Sequence, residues 1–309
     1  MELNLNILIS VKLKEMNKEE FLASGGLDFT VSKRKMLYEG IYDRKHDTQF
    51  FCTVNDKTGF ALGPVKSRYT VLQNTDLLDD IIAKLQPGTY DLSESKCGMF
   101  QGGKKIYFFI KITNLGITIE EDAADIYLYA LSSHDGSQRL VYGISTRMHS
   151  CSNMFGVLMS DKDNNHVVKH TKRISENSNT FINEMIDRNV KGLTRLFNKM
   201  KEHTVDENFY DNLMNIVVKS KGKDGRKLPD KSIKMRQELN ESIDDEIANK
   251  GETYYGAFNG LTHFLTHKYH RYTNQSPEYE MLTGKFNSYI KKSLSMIVKD
   301  MQNRGINLN

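Results

Sequence analysis

The sequence predicts an α+β fold, with a curved, mainly antiparallel sheet in the N-terminal half and a helical C-terminal region packed on it; the division falls at residues 1–175 and 176–309. Three observations lead there. Through about residue 160 the apolar residues follow a period of two and are broken repeatedly by Gly, Asn and Asp turn signals. After about Asp161 they return at every third or fourth position, the helical period. Between the two regimes lies Ile126–Asn153, IYLYALSSHDGSQRLVYGISTRMHSCSN, two apolar runs around a tight polar turn.

In that central stretch Ile126 to Leu131 is apolar on both faces, as in a strand covered on both sides. Asp135-Gly136 is a strong hairpin signal, because glycine accepts positive φ and aspartate tolerates it. Arg139 to Thr146 returns as the partner strand, and continued alternation puts Arg147, His149, Cys151 and Asn153 on one face.

The remaining elements follow in order. Residues 2–9 alternate like a strand. Asn17 with Glu20 three residues on is a capping box, and Gly25-Gly26 ends the helix. Leu27–Val31 is a short strand, followed by the basic edge or turn Ser32–Lys35. Thr48–Val54 and Phe60–Gly63 form a hairpin about Asn55–Gly59, with Pro64 at its exit. Arg68–Leu72 reads as a strand and Asp76–Leu85 as a helix capped by Thr75 and stopped by Gln86-Pro87-Gly88. Tyr90–Phe100 and Ile106–Ile112 are strands about a Gly102-Gly103 turn. Helices are predicted through Phe181–Met200, Phe209–Val217, Glu238–Glu246, Tyr254–Tyr269 and Phe286–Met301. Lys219–Arg236 reads as a loop, with eight Lys or Arg against two Asp.

The 309 residues suffice for a sizeable core, and the net charge of +4 is only mildly basic. Cys52, Cys97 and Cys151 are odd in number and far apart, the pattern of free thiols in a reducing compartment. No apolar run approaches the roughly 18–20 residues of a membrane span. The first residues have no basic n-region or cleavage site, so no signal peptide is expected and the cytoplasm is the expected location.

Several segments recur together in a known family. These are Glu19–Val31 (EEFLASGGLDFTV), Arg68–Asn74 (RYTVLQN), Gly98–Lys105 (GMFQGGKK), Ser133–Gly136 (SHDG), Arg147–Asn153 (RMHSCSN), His170–Lys172 and Thr253–His267 (TYYGAFNGLTHFLTH). In these the chain resembles the phage- and plasmid-like proteins grouped as domain of unknown function nine-thirty-two. That family more often has two valines where this chain has Met148 and His149, and often a tryptophan at Phe29 or Tyr255. The resemblance implies a protein of phages or other mobile elements, at work in a host cytoplasm. By analogy it also implies likeness to phage single-strand annealing proteins, which assemble as rings or filaments.

Single-stranded DNA is therefore the expected partner, bound without a cofactor. Arg68, Lys104, Lys105, Arg147, Lys172 and Arg173 are the expected phosphate contacts, with Tyr69 as a stacking platform. Tyr107, Phe108, Tyr127 and Tyr129 offer further stacking faces or else belong to the core. Binding of a host protein is the alternative, with an apolar patch on the helical half as its sign. A metal-dependent nuclease about His134, Asp135, His149 and Cys151 is the third reading, set against ordinary hydrogen-bonded side chains. His263 and His267 also share a helix face, without the glutamate of an HExxH motif. Gly25-Gly26 and Gly102-Gly103 lack the context of a nucleotide loop and are read as turns.

Overall fold

The computed structural model describes residues 16–39, 45–85, 87–119, 122–148, 154–155, 166–168, 179–222, 225–273 and 275–308. The expected strand over 2–9, and His149, Cys151, Asn153, Lys172 and Arg173, lie outside the described residues.

Helix α1 (Lys18–Ser24) starts at the expected capping box: Asn17 accepts from the Glu20 amide at 2.8 Å and the Glu20 carboxylate accepts from the Asn17 amide at 3.2 Å. Strands β1 (Val31–Glu39), β2 (Lys45–Asn55) and β3 (Ala61–Lys66) make a three-stranded antiparallel sheet in chain order. The basic Ser32–Lys35 segment lies in β1, an edge strand. Pro64 sits within β3 opposite Cys52, where an edge strand tolerates the missing amide.

Arg68–Leu72 is not a strand. The chain turns there, with the Tyr69 amide bonded to Lys66 O, and the Lys33 ammonium donates to the Ser67 and Tyr69 carbonyls. Helix α2 (Asn74–Lys84) begins one residue before the predicted cap, and Thr75 caps nothing.

A six-stranded antiparallel sheet follows. Its strands are β4 (Tyr90–Phe100), β5 (Lys105–Ile119), β6 (Asp122–Ser133), β7 (Leu140–Met148), β8 (Met154–Phe155) and β9 (His166–Val168). The order is β4-β5-β6-β7, with β8 and β9 sharing the far edge of β7. Ile106 to Ile110 are all buried, so both faces of β5 are covered.

The helical half holds α3 (Asn179–Glu202), α4 (Glu207–Val217), α5 (Asp230–Lys250), α6 (Tyr254–His263), α7 (His270–Thr273), α8 (Pro277–Thr283) and α9 (Lys285–Asn303). The predicted helix over 254–269 is α6 continued by one π turn, Phe264–Lys268. The basic loop is shorter than expected, because Lys231, Lys234 and Arg236 belong to α5. Helix α3 packs on β5 and β7, and one apolar core runs through both halves. Among the described residues no helix is long and apolar enough to cross a membrane.

Candidate functional site

Strand β3 lies across the turn end of the large sheet, and glycines mark the crossing. A Cβ on Gly102 would meet the Phe60 ring at 3.3 Å, and one on Gly103 would meet Phe29 at 3.1 Å. A Cβ on Gly63 would strike Asp135 at 2.6 Å, and one on Gly136 would touch Tyr69 at 3.5 Å. Gly102, Gly103 and Gly136 all have positive φ, so their turns need glycine for conformation as well as for space. The Gly-Gly and Asp-Gly turns are thus the seam between two sheets.

Buried polar groups lock that seam. The Asn74 side chain donates to Leu27 O at 2.9 Å and Phe29 O at 3.2 Å, which uses both its amide hydrogens. Its oxygen, 2.9 Å from His134 Nε2, must then accept, so Nε2 carries a proton. Gln73 bonds the Val31 amide and carbonyl with its side chain, each at 2.9 Å, in the manner of a neighbouring strand. Tyr69 donates to Ser133 O at 2.8 Å. Burial, with the charge of Asp135 added, pushes the Tyr69 hydroxyl well above its ordinary range and keeps it a donor.

Cations surround the seam. Lys66 and Arg68 are exposed at the end of β3, Lys104 and Lys105 are half-buried on the turn into β5, and Arg139 is exposed before β7. Among the described residues none of these five side chains makes an ion pair or a hydrogen bond. The other cations nearby are engaged: Lys57 holds Asp28 at 2.6 Å, and Arg34 holds Asp56 at 3.4 Å. Asp135 is the acid among them, and it accepts from the Ser137 amide at 2.9 Å. Phe60, 50% exposed, presents a ring beside the same turn.

The structure therefore brings Arg68, Tyr69, Lys104 and Lys105 to one rim and places Arg147 elsewhere. Arg147 stands opposite Asp125 in the β6–β7 register, about 27 Å along the strand from Ser133. There Asp125 forms an ion pair with Lys111 at 3.2 Å, and Arg147 bonds the Tyr127 hydroxyl. Tyr107, Phe108, Tyr127 and Tyr129 are core residues, all under 7% exposed. Lys66, Arg139 and Phe60 were missed in sequence. The available signal was that Phe60 follows a turn glycine, where a large ring projects.

Of the metal and nucleophile candidates, His134 and Asp135 are described, whereas His149 and Cys151 are not. His134 is buried, with its Nε2 hydrogen directed at Asn74. Among the described residues no group of three or more His, Cys, Asp or Glu could hold a metal ion. The His263 and His267 rings meet edge to face, 4.9 Å between centroids, and His263 Nδ1 lies 3.4 Å from the Glu246 carboxylate. A cavity of about 430 Å³ opens beside the seam, floored by Leu22, Leu27 and Phe29 and rimmed by the Asp28–Lys57 pair.

No curated protein and no solved structure matches the chain. The sequence profile of one family does, over residues 61–285, from the start of β3 to the start of α9. The seam turns, the cationic rim and α3 to α8 all lie within that range. The chain belongs to the family described as Domain of unknown function (DUF932).

Proposed function

We propose that this protein binds single-stranded DNA along the rim where β3 crosses the turns of the large sheet, and that it promotes strand annealing for a phage or other mobile element. The observation that carries the reading is the group of five unpaired cations, Lys66, Arg68, Lys104, Lys105 and Arg139, beside the exposed ring of Phe60. Unpaired cations give up no intramolecular partner when they meet phosphates, and they release counterions from the strand. An exposed ring accepts any base by stacking. Holding the backbone in this way leaves base edges free to pair, which is what annealing requires, and no nucleotide cofactor enters. Tyr69 acts here by fixing the turn that carries Arg68. Assembly of several copies would extend the rim along a strand. The cytoplasm of a host cell is the proposed location, in keeping with the free thiols of Cys52 and Cys97.

The test is fluorescence anisotropy with labelled single-stranded and duplex oligonucleotides across a salt series. Five phosphate contacts predict a slope of log K against log salt of about −3.5 for single strands. The double substitution Lys104→Ala with Lys105→Ala should lower its magnitude by about 1 to 1.5. Phe60→Ala should weaken binding by about 1–3 kcal/mol and leave the slope unchanged. Binding that is absent at low salt, or indifferent to these substitutions, rejects the proposal.

A further inference from the structure

On the other half of the molecule a cleft of about 450 Å³ opens between α4, α5 and the loop that joins them. Met214, Leu228 and Ile233 give it an aliphatic lining, and Ile233 is 40% exposed, the large apolar side chain most open to solvent among the described residues of the helical half. Arg236 is fixed in its wall by Asp211 at 2.8 Å, Asn215 at 3.1 Å and Val218 O at 2.7 Å, so the cleft is formed before anything enters. Gln237 and Asn240 add side-chain amides to the same wall.

Charge frames this cleft. Lys219, Lys221, Arg226, Lys227 and Lys234 are exposed, and each lies within two residues of a lining side chain, against two exposed acids placed likewise, Asp230 and Glu241. Among the described residues none of the five makes an ion pair or a side-chain hydrogen bond. A cationic frame repels basic partners and favours acidic ones. An aliphatic pocket with an exposed isoleucine gains most from an apolar anchor. The lining holds no aromatic ring on which a base could stack, whereas its amides suit a peptide backbone.

We propose that this cleft is a docking site for an acidic protein segment that carries an apolar side chain, the side chain entering beside Ile233 and the acids meeting the lysine frame. The site is separate from the DNA rim, so the two readings can fail independently.

The experiment uses the full chain and a short fluorescein-labelled peptide alternating Asp with Leu. Controls are the same peptide with Leu replaced by Ser, the same peptide with Asp replaced by Asn, and a labelled oligothymidine. The Asp-Leu peptide should bind, and each peptide control should bind about tenfold more weakly. Ile233→Ser, a surface change, should weaken the Asp-Leu peptide about tenfold and leave oligothymidine unchanged. Lys227→Glu with Lys234→Glu should weaken the peptide further and make its binding less salt-dependent. Equal binding of the Leu and Ser peptides, or indifference to Ile233→Ser, overturns the proposal. So does loss of oligothymidine binding in the lysine pair without any peptide binding, which would make the frame a nucleic-acid surface.

Discussion

Asn74 is 1% exposed and holds three groups from three parts of the chain: Leu27 O, Phe29 O and His134 Nε2. Removing its amide leaves all three without that partner in a place water does not reach. Asn74→Ala should therefore cost about 2–4 kcal/mol, read as a lower urea midpoint. Thr75→Ala, next door, is the control. Thr75 is exposed and caps nothing, so its change should stay within about 0.5 kcal/mol. The contrast measures the interior bonds of the seam apart from the helix start. It also shows why the cap was misassigned: Thr75 has the chemistry of a cap, but Asn74 is drawn into the helix by bonds to distant carbonyls.

Glycine separates packing from propensity at the scale of elements. Gly260 of α6 faces α5 so closely that a Cβ would overlap the backbone at Ile243, whereas Gly192 of α3 is exposed with open space around it. Gly260→Ala must push two helices apart and should cost about 1–3 kcal/mol. Gly192→Ala relieves only backbone freedom and should add about 0.5–1 kcal/mol. Thermal unfolding of both variants checks the opposite signs. Helical spacing alone located α3, α4, α6 and α9, and alternation with turn glycines located the hairpins. Arg68–Leu72 carries the same β-branched and aromatic signal as a strand, yet among the described residues its backbone enters no strand ladder. Lys33 and Gln73 take up backbone groups on either side instead.

Across the whole molecule, α8 ties the helical half to β4. The Tyr279 ring meets Phe100 edge to face at 5.1 Å, and Glu278 pairs with Lys96. Burial raises the Glu278 pKa, but the bond from Lys96, the local backbone and the Lys96 charge outweigh it, so the carboxyl sits below its ordinary 4.5. With the folded value depressed, the unfolded chain binds the proton first. The contribution to stability is complete above about pH 4.5 and is lost as pH falls through the folded value. Glu278→Gln should flatten the fall in stability below about pH 5, measured by urea unfolding at several pH values. An unchanged slope in that window would show that the pair contributes nothing to coupling the halves.

Periodicity and turn chemistry in the sequence by themselves determined that the chain passes from antiparallel hairpins to helices, that Asn17 caps α1, and that Gly102-Gly103 and Asp135-Gly136 are turns. These are local properties, set by neighbours a few residues away. The same reading named Arg68, Lys104 and Lys105, because each is a basic residue next to a turn signal. Only the tertiary structure decided that these three share a rim with Lys66, Arg139 and Phe60 while Arg147 lies at the far end of the sheet. It alone decided that Tyr69 and His134 serve the seam. The physical reason is that a side chain's availability depends on its partners. Tyr69 finds Ser133, and His134 finds Asn74, across separations of 64 and 60 residues that no local pattern encodes.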